Sequence, residues 1–231
     1  MNYKVKEFEV RAGCRDNFNA FMVNRAKFTA PNDIPYCPTT LTQIPERIIM
    51  YDEAKRSTDY EAVVGFYQDD YKFDGKRSGI WNNSKESIKI LSKFAGVITP
   101  DFSTNPDFPY PLKIYNTYRM RAFGFWLVRN GLKVVNNVRP GSEDTWEYCF
   151  DGIPKKSIVA ISTVGCILRN EDRNRFKLGL DEMVDVLMPH TILVYGNAPD
   201  DLCYKHKCAG IEIISYESQI SQAMRGRKSN E

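Results

Sequence analysis

GVITPDFS (96–103), LKVVNNVRPG (132–141) and SIVAISTVGC (157–166) are the stretches whose reading decides the fold. Each is a short apolar run that ends in a polar cluster. The clusters are Asp101 in the first, Asn137 and Arg139 in the second, and Ser162, Thr163 and Gly165 in the third. Runs of this length, bounded by turn residues and separated by a helical segment, read as strands buried on both faces in β/α units. Ligands of parallel sheets bind just beyond the carboxyl ends of the strands. The polar clusters fall at those ends, so the sequence locates a site before it says what the site does.

Upstream, residues 62–67 form a strand that runs directly into Gln68, Asp69, Asp70 and Tyr71. Residues 83–94 follow as a helix, with Ile88, Leu91 and Phe94 at helical spacing. Between the first two quoted runs lies a helix at 114–130. From Met120 to Val128 it has a single charge, Arg121, so it is expected to be buried nearly all round. Gly131 supplies its stop. Downstream, 174–188 is an amphipathic helix ended by Pro189, and 191–195 and 211–215 are strands joined by a turn-rich link. Residues 1–45 read as irregular, punctuated by Pro31, Pro35, Pro38 and Pro45, with one strand at 3–10 and a short helix at 19–28. A further short strand is expected at 47–50.

This order predicts one α/β domain over residues 1–231, with a mainly parallel sheet built from successive β/α units. Two closures satisfy it: a reduced or distorted β/α barrel, and an open doubly wound sheet. The basic residues of the last segment, 225–231, read as a flexible, solvated tail.

Composition narrows the function classes. With 42% hydrophobic and 26% charged residues in a chain of 231, the protein reads as an ordinary globular one. A formal net charge of +3 makes a nucleic-acid role the weaker expectation. No apolar run reaches the ~20 residues that span a bilayer. The N-terminal MNYKVKEFEV has no apolar signal core, so a cytoplasmic setting is expected. Two histidines and one Cys-x₄-Cys spacing argue against a zinc site or a paired-histidine nuclease centre. Neither a dinucleotide-binding nor a P-loop glycine motif is present.

The candidate chemistry lies in two groups. Asp70 and Asp101 follow successive strands and are the candidate catalytic carboxylates, as base or as ligands of a Mg²⁺ ion beside a phosphate. Asn116, Arg119, Arg121, Asn137 and Arg139 are candidate ligand-binding residues, because a guanidinium fork suits phosphate or carboxylate. Asn116 and Arg119, three apart, share a helix face. The competing structural role for the arginines is an internal ion-pair network, which adds little net stability.

VVGFYQDDYKFDG, GVITPDFS, IYNTYRMRAFGFWLVRNGLKVVNNVRPG and YCFDGIPKKSIVAISTVGC, in that order, resemble a phage and mobile-element family known as a domain of unknown function. The resemblance covers about residues 48–215. The shared positions include Asp70, Asp101, Asn116, Arg119, Arg121, Asn137, Arg139 and Asp151, and they add Asp151 to the ligand-binding candidates. The chain departs from the pattern in TNPDFPYP and RPGSEDTW. The resemblance implies a phage or mobile-element setting, in the cytoplasm of the host, and no specific chemistry. The expectation is a protein that binds a nucleotide-like or other phosphorylated ligand at the carboxyl ends of the central strands, with processing of that ligand left open. Its rivals are a non-catalytic protein that sequesters a nucleotide signal or a host factor, and a nucleic-acid-binding accessory protein.

Overall fold

Along each strand of the main sheet, successive apolar residues go to opposite cores. Val63 and Tyr67 enter an inner cluster, Val64 and Phe66 an outer one. Ile158 and Ala160 likewise face inward, Val159 and Ile161 outward. Side chains alternate across a strand, so runs apolar at every position must be covered on both faces.

The computed structural model describes residues 4–8, 13–76 and 79–228. An antiparallel pair, β1 (Lys4–Val5) and β2 (Lys27–Phe28), stands apart from the main sheet. The main sheet has seven strands: β3 (Ile48–Met50), β4 (Val63–Gly65), β5 (Gly96–Ile98), β6 (Val134–Asn137), β7 (Ile158–Ser162), β8 (Thr191–Tyr195) and β9 (Glu212–Tyr216). All pairs are parallel, and the spatial order is the chain order. A doubly wound sheet reverses direction at a switch point. This one never does, so right-handed crossovers put every connection on the same face. The other face is covered by curling the sheet on itself into a half-barrel. Its two sides approach each other, as three contacts show. Tyr67 stacks on Tyr195 with centroids 5.4 Å apart, Tyr216 Oη donates to the Pro45 carbonyl at 2.7 Å, and Gln219 Nε2 donates to Glu53 at 3.1 Å.

The helices are α1 (Tyr51–Ala54), α2 (Ser84–Leu91), α3 (Tyr110–Arg129), α4 (Asn170–Leu187), α5 (Asp200–Cys208) and α6 (Gln219–Lys228). α3 is buried on most sides, as its composition predicts: Met120, Arg121, Phe123, Trp126 and Leu127 all lie inside. Gly124 lets it lie against β5, because a Cβ there would sit 2.5 Å from the Thr99 side chain and 2.6 Å from Cys37 Sγ.

The N-terminal segment closes one end of the half-barrel. The amide of Thr40 donates to the Val134 carbonyl at 2.8 Å, Asn136 Nδ2 donates to the Cys37 carbonyl at 2.8 Å, and Leu41 enters the inner cluster. Gly152 locks this segment down. It has φ +74, its carbonyl accepts the Cys37 amide at 2.8 Å, and a Cβ there would lie 2.2 Å from the Pro35 oxygen. The carboxyl ends of the strands form the opposite end.

Several local expectations need correction. The strand expected at 3–10 is reduced, among its described residues, to Lys4–Val5, and it pairs outside the main sheet. The helix expected at 19–28 is one 3₁₀ turn, Ala20–Val23, followed by β2. Asp16 caps that turn by accepting the Ala20 and Phe21 amides, and Arg25 at φ +63 interrupts the chain before it can continue. The turn-rich link contains α5. Its signals were readable: acids in the first turn, basic residues in the last, and a buried stripe of Leu202, Cys203 and His206. α4 begins at Asn170, one turn earlier than expected. α6 continues through Lys228 where a solvated tail was expected, and Arg225 pairs with Glu217. Residues 229–231 lie outside the described chain.

Candidate functional site

Four strand ends build the open mouth. β4 delivers Tyr67 to Asp70, β5 Asp101, β6 Asn137 and Arg139, and β7 Ser162 to Cys166. A chain of hydrogen bonds joins them. Tyr67 Oη donates to Asn137 Oδ1 at 3.1 Å, Asn137 Nδ2 donates to Asp101 Oδ1 at 2.8 Å, and Arg139 Nη1 donates to Asp101 Oδ2 at 2.5 Å. The backbone of Asn137 is held in turn, its amide donating to Thr99 Oγ1 at 2.8 Å. Burial pushes the Asp101 carboxyl above its usual range, against the pull of Arg139. The Asp101 carboxylate raises Arg139 above its usual value. Burial, then Asp101, pushes the Tyr67 phenol well up, so it stays a donor.

Two cavities open on this chain. One, of about 200 Å³, is lined by Asp101, Asn137, Arg139 and the wall of Pro106, Pro140 and Phe176. The other, of about 520 Å³, is lined by Tyr67, Asp70, Lys72, Ser103, Arg139 and the first residues of α6. Asp101, Arg139, Ser162 and Gly165 line both, so the two are lobes of one cleft. Such dimensions suit a small-molecule site.

Much of the spare hydrogen-bonding capacity at this cleft is cationic, beside the unpartnered neutral groups of Gln68 and Thr104. A guanidinium has five N–H donors, and Arg139, 28% exposed, makes its one side-chain hydrogen bond among the described residues through Nη1. Lys72 Nζ makes no ion pair among the described residues. Arg175 spends one nitrogen on Asp172 at 3.0 Å. The carboxylates are mostly engaged. Asp101 is held by Asn137 and Arg139, and Asp70 accepts from the Ser103 amide at 3.2 Å and from its hydroxyl at 2.9 Å. The Ser162–Cys166 turn is less open to an anion than its small residues suggest. The amides of Thr163, Val164 and Cys166 donate to the Tyr195 carbonyl, Ser162 Oγ and the Thr163 carbonyl.

The remaining sequence candidates lie behind the cleft rather than in its lining. Asn116 Nδ2 donates to the Ser103 carbonyl at 2.5 Å, and its Oδ1 accepts from Arg119 Nη2 at 2.7 Å. Arg119 pairs with Asp74 at 2.5 Å and lies 3.9 Å from the centroid of the Phe102 ring. Arg121 is wholly buried. It donates to the carbonyls of Asp151, Asn137 and Cys149 at 3.1, 3.0 and 3.0 Å, and burial lowers it to about 10. The Asp151 carboxylate accepts from Thr29 and Asn32, both at 3.1 Å, which ties down the N-terminal segment. Asp70, Asp101, Asn137 and Arg139 therefore share the cleft; Asn116, Arg119, Arg121 and Asp151 form its support.

Among the described residues no three acidic, cysteine or histidine side chains are grouped to hold a metal ion. The Cys203–Cys208 segment forms α5, where His206 bonds to Asp181 at 2.9 Å. Sequence reasoning passed over Tyr67, Lys72, Ser103, Arg175 and Phe176 as site residues. Tyr67 and Ser103 carried a signal, since each follows the same strand end as a chosen aspartate.

No helix of the described chain is long and apolar enough to cross a membrane. No solved structure matches the chain. Two phage proteins do, each called Gene 1 protein. That of Mycobacterium phage D29 is 31% identical over 183 residues, 76% of this chain and 66% of that protein. That of Mycobacterium phage L5 is 33% identical over 145 residues, 61% of this chain and 62% of that protein. The chain thus spans somewhat under two thirds of the length of these relatives. A family model described as Domain of unknown function (DUF4417) matches residues 26–217, from before β2 through β9, and the chain belongs to that family.

Proposed function

We propose that this phage-family protein binds a phosphorylated, nucleotide-like small molecule at the mouth of the half-barrel. The observation that carries the reading is Arg139. It stands where the two lobes meet, is oriented by Asp101 through one nitrogen, and keeps its other donors for the cleft. An arginine pre-positioned this way offers a phosphate a rigid fork without the entropic cost of ordering a free side chain. Lys72 and Arg175 add positive charge at the two ends of the cleft.

Two versions share this geometry. As an enzyme, the protein would use Asp70, whose partner is a hydroxyl and an amide rather than an arginine. As a sequestering protein it would need no such group. Calorimetric titration with nucleoside phosphates and with inorganic phosphate tests the common part. Binding is expected for wild type and lost in Arg139→Met. Equal affinity in the two proteins, with both folded, would remove the reading. Product formation that disappears in Asp70→Asn while binding persists identifies the catalytic version.

A further inference from the structure

Resting on the reading of the mouth as an anion site, we infer that the smaller lobe is a slot for a planar base and the larger lobe takes the phosphates, so that the ligand class is a nucleoside phosphate. The two lobes differ in wall chemistry. The smaller is walled by Val138, Pro106, Pro140 and Phe176, with Thr104 among them. Its walls are fixed in advance. The Pro140 carbonyl accepts from Trp146 Nε1 and from Thr145 Oγ1, both at 2.8 Å. Gly179 of α4 packs so closely on Pro140 that a Cβ would come within 2.8 Å of its ring. Asp172 and Arg175 also line this lobe, yet its exposed surface is mainly apolar, and a mainly apolar pocket with Phe176 in its wall suits a flat ring better than a hydrated sugar or a phosphate.

The slot also holds an unexplained polar group. Thr104 is 3% exposed, and its hydroxyl has no hydrogen-bond partner among the described residues. Buried hydroxyls are nearly always paired, and this one stands at the wall of the slot.

The larger lobe is the more polar of the two, with Asp69 and Asp70 in its wall beside the cations. Lys72, Ser103, Ser162 and Ser218 line it, and α6 starts at its edge, so the positive end of the helix dipole adds to the cations. Arg139, at the junction, would hold the first phosphate, with any further phosphates extending towards Lys72.

The test compares adenosine, guanosine, cytidine and uridine monophosphates with ribose 5-phosphate, which has the same phosphate and sugar but no base. At least one nucleotide is expected to bind about tenfold or more tightly than ribose 5-phosphate, the scale of a single base–aromatic contact. In Phe176→Ala that advantage should vanish while ribose 5-phosphate affinity stays as in wild type. Phe176→Leu, which keeps apolar volume and loses the ring face, serves if the alanine variant melts. Ribose 5-phosphate binding as well as every nucleotide, or both classes weakening equally in the Phe176 variants, overturns the base slot and leaves the anion site standing. Failure of nucleotides, ribose 5-phosphate and inorganic phosphate alike to bind wild type overturns the anion site, and the slot with it.

Discussion

Asp101 and Arg139 meet at 2.5 Å although 38 residues separate them, because each is two or three positions beyond the end of one of two neighbouring parallel strands, β5 and β6. In-register parallel strands bring equivalent positions level. A whole α-helix can therefore intervene in sequence without moving the pair apart at the sheet end. The pair is partly shielded, with side-chain exposures of 11% and 28%. It thus couples the proposed binding surface to the stability of the mouth.

Removing Arg139 should have two effects. Arg139→Met leaves the buried Asp101 without its counter-ion and is expected to cost about 3 kcal/mol, the lower end for a buried pair because part of it reaches solvent. It should also abolish phosphate binding. Arg139→Lys restores the charge but not the fork, so it should recover most of the stability and little of the affinity. Urea denaturation and phosphate titration of both variants separate the two effects; full recovery of affinity in the lysine variant would show that charge alone suffices.

Arg119 is expected to behave differently. It lies behind the cleft, bonded to Asp74 and Asn116 and packed on Phe102. Arg119→Ala should lower stability by about 3 kcal/mol, since it leaves Asp74 buried and unpaired. Ligand affinity, measured below the melting transition, should stay within about twofold of wild type. A large loss of affinity in a variant that melts normally would place Arg119 in the binding surface.

Arg121 should be the least replaceable of the three. It satisfies carbonyls from β6 and from the 149–151 turn, and no carboxylate among the described residues pairs with it directly. Arg121→Met would orphan all three acceptors at a cost of about 3–5 kcal/mol. Arg121→Lys should rescue little, because one ammonium cannot reach carbonyls arranged around a planar fork. Circular dichroism of the purified variants, with urea midpoints, checks this; a near-native midpoint for Arg121→Lys would contradict it.

Three carboxyls set a pH dependence of stability. Asp74, Asp101 and Asp151 all lie above the ordinary carboxyl value of 3.8 in the folded chain, chiefly through burial. When the folded pKa is the higher one, the native state binds more protons than the unfolded state between the two values. The contribution of these groups is therefore most favourable below 3.8 and declines as the pH rises through their native values. Asp151→Asn keeps an acceptor for Thr29 or Asn32 and cannot ionise. Its stability relative to wild type should increase as the pH rises through that window and level off above it. Unfolding free energies measured from the acid range to neutrality would expose the opposite trend if the assignment is wrong.

The C-terminal helix should divide into a functional start and a dispensable end. Deleting residues 225–231 removes the surface pair of Arg225 with Glu217, worth little at such exposure, and should leave melting and binding nearly unchanged. Deleting 219–231 removes Gln219 and Ile220 from the cleft wall, together with the bond from the Gln219 amide to Tyr195 Oη at 3.0 Å. That truncation should lower both melting temperature and affinity. Identical behaviour of the two truncations would show that α6 does not complete the mouth.

Six of the seven parallel strands, with the first as a short candidate, the helix buried on most sides and the rim that carries Asp101, Asn137 and Arg139 were legible in the chain. Their cause is local, namely apolar runs of strand length, polar stops and helical periodicity, each contained within about twenty residues. The closure into a half-barrel and the division of labour among the arginines were not. Closure depends on contacts between elements far apart in sequence, such as Tyr67 on Tyr195 and Tyr216 on Pro45. Arg119, Arg121 and Arg139 have the same donors. What separates them is which partner the packed fold brings within reach: Asp74 and an aromatic face for the first, three backbone carbonyls for the second, and Asp101 beside an open cleft for the third. A side chain's role follows from what surrounds it in three dimensions, and only the tertiary structure decides that.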